Sequence, residues 1–168
     1  MGATLVAAAT VTLTACTQGG QPAEPAPGRD SVVLDARGVS ACSVLGESTL
    51  PRVGLDPTTS QDKSNAVASA CAWDSADRRE TMMLVINVSF DIDLVAGAGG
   101  TVREFRLDGH RAVQEEPPGS RICTIYAELA ENQIVSAEFA SSATDRPVES
   151  CAKAEQIVRG VIGSLSAR

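Results

Sequence analysis

The chain has 168 residues, 43% of them hydrophobic and 21% charged, with a formal net charge of −7. That composition suits one globular domain plus a targeting segment, and the acidic balance argues against nucleic-acid binding, which needs a basic face to neutralise phosphates. Aromatic side chains are confined to Trp73, Phe90, Phe105, Tyr126 and Phe139, so the core must rest on Val, Ile, Leu and Ala, and few rings remain for stacking on bases.

Residues 2–15 are small or apolar and carry no charge. The run is shorter than the roughly 20 residues of a membrane-spanning helix and has the length of a signal-peptide core, so residues 1–15 read as a signal peptide. Its end, Leu13-Thr14-Ala15-Cys16, resembles the bacterial lipobox. That resemblance implies cleavage after Ala15 and a diacylglyceryl thioether on Cys16, and two or more acyl chains suffice for stable anchoring. A signal peptide opens with Lys or Arg, whereas this chain opens Met1-Gly2-Ala3, which leaves room for a start upstream of Met1. Residues 16–30 are rich in Gln, Gly, Pro and Ala. They read as a lipidated cysteine followed by a disordered tether, whose 14 residues from Thr17 to Asp30 reach about 45 Å when fully stretched.

Residues 31–168 read as a single folded domain. Ser40 to Val53 is a predicted helix with Cys42, Val44, Leu45 and Leu50 on its apolar side, and Gly54 to Ser64 is rich in turn residues. A short strand is expected around Cys71-Ala72-Trp73. The next runs from Met82 to Ile92, where Met82, Leu84, Ile86, Val88, Phe90 and Ile92 alternate with the other face. Asp108-Gly109 favours a type I′ hairpin turn between Arg103–Leu107 and His110–Gln114. Strands then follow at Arg121–Leu129, with Cys123, Ile125, Ala127 and Leu129 inward, and at Gln133–Ala140, with Val135, Ala137 and Phe139 inward. From Val148 the apolar residues Val148, Cys151, Ala154, Val158, Val161, Ile162 and Leu165 recur at helical spacing behind Pro147. The pattern predicts an α+β fold: an antiparallel sheet of about five or six strands, with an N-terminal and a C-terminal helix packed on one face.

Four cysteines lie in the body of the chain: Cys42, Cys71, Cys123 and Cys151. None forms a Cys-x-x-Cys pair and His110 is the single histidine, so they read as disulfides formed in an oxidising compartment rather than as a metal site. Three connectivities are open to four cysteines. Packing phase favours one of them. Cys123 is on the inward face of its strand and Cys151 on the apolar stripe of the last helix, while Cys42 and Cys71 open the first helix and the first strand. The expected bonds are Cys42–Cys71 and Cys123–Cys151.

Motifs that carry catalysis are thin. Ser-x-x-Lys occurs at Ser60–Lys63 and Ser150–Lys153, without the Ser-Asp-Asn and Lys-Thr-Gly that accompany it in penicillin-binding proteins. His110 is expected to be a solvated residue beside a hairpin tip. Asp91 and Asp93 are expected to share a face at a solvated strand end, two carboxylates where a bound Ca²⁺ needs six or more oxygens. The run Gly97-Ala98-Gly99-Gly100 lacks the spacing of a phosphate loop.

Several short segments, in this order, resemble a family of actinobacterial lipoproteins, the domain of unknown function 3558 family. They are Ala41-Cys42-Ser43-Val44-Leu45, Cys71-Ala72-Trp73 before a long strand, and Leu107-Asp108-Gly109-His110-Arg111-Ala112. Cys123-Thr124-Ile125 and Glu149-Ser150-Cys151-Ala152-Lys153-Ala154 complete the set. In such proteins Asp-Pro often precedes the first cysteine, where this chain has Ser40-Ala41. The resemblance spans most of residues 40–166 and implies a cell-envelope lipoprotein, with no catalytic residues to carry over. The expectation is a palmitate-bearing lipoprotein on the extracytoplasmic face of the cell membrane, acting as a non-enzymatic binding or accessory module with no cofactor and no metal. Its candidate partners are the membrane, through its lipid, and an envelope protein or an apolar ligand. Alternatives are a carrier of an apolar envelope ligand and a hydrolase.

Overall fold

In the computed structural model, residues 32–95, 100–142 and 147–168 are described. The expected signal peptide, Cys16 and the tether lie outside these residues.

Alternating hydrophobicity produces most of the sheet. The strands are β1 (Gln61–Asp62), β2 (Ala68–Asp74), β3 (Glu80–Asn87), β4 (Thr101–Leu107), β5 (His110–Glu116), β6 (Ile122–Ala130) and β7 (Gln133–Ser141). They form one seven-stranded sheet in the order β1-β2-β3-β7-β6-β5-β4, with every neighbouring pair antiparallel. Two meanders therefore meet at the β3–β7 seam, and the chain crosses from the centre of the sheet to its far edge between β3 and β4. The sheet has seven strands rather than five or six. The additional strand is β1, a two-residue edge ladder within the segment read as turn, and too short to carry a period-2 signal.

Register aligns the core into rows. Cys71 faces Leu84, Leu84 faces Ala137 and Ala137 faces Ile125, while Trp73, Met82, Phe139 and Cys123 make the next row. All eight are buried. Helix α3 (Pro147–Ser166) lies across β6 and β7 and buries Cys151, Ala154, Ile157, Val158, Val161, Ile162 and Leu165. Val148 is 74% exposed, so the apolar stripe begins one turn later than its sequence spacing suggests. The Asp108-Gly109 hairpin has φ of 50° and 93°, the positive pair that a type I′ turn requires.

The expected N-terminal helix over Ser40–Val53 is a correction. That stretch is a chain of turns ending in a four-residue helix, α1 (Thr49–Arg52). Its amides reach carbonyls three residues back, Ser43 to Ser40 and Thr49 to Gly46. Gly46, Pro51 and the Ser/Thr residues all disfavour helix propagation, and Cys42 is held to β2 by its disulfide. The apolar residues are still used, since Val44, Leu50, Val53 and Leu55 are buried. One long helix, not two, therefore covers the sheet, with α1 packed against α3.

The long strand also ends early, at Asn87 rather than Ile92. The Asn87 side chain accepts the Ser89 amide at 2.8 Å, and Asp91 accepts the Asp93 amide at 2.8 Å. Such local bonds compete with a ladder. The chain then turns into α2 (Ile92–Val95). Ile92 is buried with Val113 and Ile134, with Tyr126 packed against them, on the sheet face away from α3. Val88 and Phe90, read as inward, are 38% and 37% exposed.

Candidate functional site

The cysteines are placed by strand phase and helix phase. Cys71 is on the inward side of β2 and bonds Cys42 (S–S 2.03 Å, Cα–Cα 5.1 Å). Cys123 is on the inward side of β6 and bonds Cys151 in the first turns of α3 (S–S 2.10 Å, Cα–Cα 5.0 Å). The second bond pins α3 to the sheet that it covers. Glu116, Cys123 and Cys151 bring ligand-type atoms within 4.8 Å of one another. The two sulfurs are bonded to each other, so neither is a thiolate, and one carboxylate is no ligand set.

The residues singled out for catalysis are engaged elsewhere. Ser150 is 1% exposed and its hydroxyl donates to the Arg121 carbonyl at 3.4 Å. Lys153 lies 2.6 Å from both carboxylate oxygens of Glu80, with its ammonium 5.1 Å from the centre of the Phe139 ring. The serine and lysine of that motif therefore serve different partners. Ser60 ends a 3-10 turn (Pro57–Thr59), and both it and Lys63 are exposed.

His110 is a second correction, because it is 3% exposed rather than solvated. As the first residue of β5 it shares the inward parity of Ala112, and its Nδ1 lies 2.9 Å from the Glu128 carbonyl oxygen. Asp91 and Asp93 do not form a strand-end pair. Asp93 belongs to α2 and accepts from Arg111 at 2.7 Å, with Glu104 also at 3.4 Å from that guanidinium. The Arg111 hydrogen bond holds the Asp93 carboxyl below its ordinary range, and the same bond raises Arg111. On the other side of the α2 contact, Tyr126 donates to Glu115 at 3.3 Å. Desolvation, reinforced by the Glu115 charge, pushes its phenol up to about 12. Arg159 joins α3 to the β4–β5 hairpin through Asp108 and also pairs with Glu155. Among the described residues no buried side-chain nitrogen or oxygen lacks a hydrogen-bond partner, so none is left awaiting a polar ligand.

What the molecule does present is an apolar end. Val33, Val67 and Val88 are 75%, 50% and 38% exposed. Val67 and Val88 line a groove of about 280 Å³ with Ala36, Val39 and Ile86, and with the polar Ser64, Asn65, Ser69 and Ser89. Val33 and Val88 line a second, larger one of about 690 Å³ with Asp35, Arg37, Glu131, Asn132 and Gln133. The first of these grooves sits at the low end of ligand-pocket volumes, about 300–1,000 Å³, and both are open. Val88 was legible only as a core residue, and nothing in the local sequence marks Val33 or Val67. Their exposure is set by where β2 begins and β3 stops.

Among the described residues no helix is long and apolar enough to cross a membrane. Comparison with curated proteins and with solved structures found no match. A family model described as "Protein of unknown function (DUF3558)" matches residues 11–164, a span that takes in Cys16 as well as every strand and most of α3. The chain belongs to this family.

Proposed function

We propose that this chain is an actinobacterial lipoprotein, palmitoylated and tied through Cys16 to the extracytoplasmic face of the cell membrane, where its domain acts as a non-enzymatic binding or accessory module of the envelope. The observation that carries the reading is the uncharged apolar run ending in Leu13-Thr14-Ala15-Cys16. Ahead of a domain braced by two disulfides, it fits an oxidising compartment. The exposed valines gathered at one end of the domain support a binding role, since clustered apolar surface marks a contact site. Its partner would be apolar: lipid, or the apolar patch of an envelope protein.

A second reading, a carrier of an apolar ligand, is favoured by the groove between Val39, Val67, Ile86 and Val88. At about 280 Å³ and open to solvent it would hold part of a chain rather than enclose a lipid. Fractionation of a Cys16→Ser variant tests the leading reading. The variant is expected in the medium or as an uncleaved precursor. Unchanged membrane retention with normal processing would contradict it.

A further inference from the structure

The chain enters the described domain at the apolar end. The Leu34 amide donates to the Leu129 carbonyl at 3.0 Å and the Ala36 amide to the Gln133 side chain at 2.7 Å. These bonds clamp the segment from Val32 beside the β6–β7 turn. Val33, Val67 and Val88 surround that entry point and share its two grooves, and Val32 is itself 69% exposed. The charged side chains lining the grooves are Asp35, Arg37 and Glu131. These three carry a net charge of −1, a small share of the −7 of the whole chain, so repulsion from a lipid surface is weak there.

Fifteen residues, Thr17–Ser31, separate Cys16 from the first described residue. Even fully extended they span at most about 50 Å. If Cys16 is lipidated, the valine-bearing end is the root of the tether, and no other surface is held so near the bilayer. A tether of this length raises the effective concentration of its two ends to about the millimolar range, at which a shallow apolar contact is populated without high intrinsic affinity. We propose that the Val33–Val67–Val88 end is a lipid-docking surface that rests in the headgroup and upper acyl region of the membrane to which Cys16 is tied. The proposal rests on the anchoring reading above. Docking fixes the orientation of the domain: the β6–β7 turn faces lipid, and the start of α3, at the other end of β6, faces outward.

The test uses the full lipidated protein in phosphatidylcholine vesicles with and without bromine-labelled acyl chains, and it compares Val33→Trp, Val67→Trp and Val148→Trp. The native Trp73 is 2% exposed in the core and serves as the background. Val148 is 74% exposed on α3 next to Ser150, which bonds Arg121 just ahead of β6, and so reports the outward end. Flotation with the vesicles is read first and reports the anchor. With insertion to about 5–10 Å, bromolipid is expected to lower the emission of Val33→Trp and Val67→Trp about twofold and to leave Val148→Trp at its background. Flotation with no quenching at either valine, or with equal quenching at all three positions, would overturn docking and leave the anchor standing. A protein that does not float overturns the anchor and docking with it. Valine-end signals untouched by bromolipid, with Val67 crosslinking to an envelope protein in cells, would assign the patch to a protein and overturn the proposal.

Discussion

Removing the Cys123–Cys151 bond is expected to cost more than any single contact in the core. The bond joins residues 28 apart in sequence, and a loop of that size is worth about 3.6 kcal/mol in the chain-entropy model. Its sulfurs are buried, with Cys123 at 0% and Cys151 at 6% exposure, so truncation to Ala also forfeits about 0.8 kcal/mol of burial per methylene-sized group. The Cys123→Ala/Cys151→Ala variant should lose about 5 kcal/mol, against a total of about 5–15 kcal/mol for a domain. For a domain of about 135 residues, with unfolding entropy near 2.1 cal/mol/K per residue, that is a fall in Tm of about 15–20 °C. Thermal unfolding followed by circular dichroism measures it, with the reduced parent protein as a control that loses both loop constraints but keeps all four sulfurs. The control should fall by about 25 °C. A drop below about 5 °C in both would refute the reasoning, because α3 would then be held to the sheet by packing alone.

Lys153→Met leaves Glu80, with 15% of its side chain exposed, without its counter-charge. Discounted for the 27% exposure of Lys153, the loss should be about 2 kcal/mol by urea unfolding. Adding Glu80→Gln should recover more than half of it, and additive losses would show that the two do not act as a pair. Tyr126 is the single tyrosine, so the absorbance change on forming tyrosinate follows it alone. Its ionisation should centre near 12 in the folded protein and return to about 10 in urea. A raised folded pKa favours the neutral phenol, so its contribution to stability is complete below about pH 10 and is lost as pH rises from there through 12. A folded midpoint at the urea value would contradict the packing of α2 over this ring. A fluorophosphonate or a labelled β-lactam should leave Ser60 and Ser150 unmodified; stoichiometric labelling of Ser150 would overturn the assignment of Lys153 to Glu80, and labelling of Ser60 would overturn its reading as an exposed turn residue.

Period-2 alternation made β3, β6 and β7 readable, the Asp108-Gly109 turn marked β4 and β5, and helical spacing made α3 readable, because β3, β6, β7 and α3 each bury one face along most of their length. Strand phase and helix phase also put Cys123 and Cys151 on facing surfaces, and these are joined. Two of the differences share one cause: apolar spacing does not by itself make regular structure. In Ser40–Val53 the buried residues Val44, Leu50 and Val53 are delivered by turns, because Gly46, Pro51 and the hydroxyl side chains outweigh the apolar spacing. In β3 the alternation runs on through Val88, Phe90 and Ile92, but the Asn87 and Asp91 side chains turn the chain, leaving two of those residues half-exposed and burying the third on the opposite face. His110 followed the same logic in reverse. A polar residue beside a turn reads as solvated, yet its strand parity carries it inward. The valine-bearing end was illegible because it is assembled from the entry segment, the start of β2 and the end of β3, which are distant in the chain.

The most direct test of the account is the intact mass of the protein recovered from the membrane fraction of its native host. The account predicts a mature chain beginning at Cys16 and carrying a diacylglyceryl group, with four further cysteines resistant to alkylation until reduced. A membrane-bound chain that still contains residues upstream of Cys16 and an unmodified Cys16 thiol would contradict it.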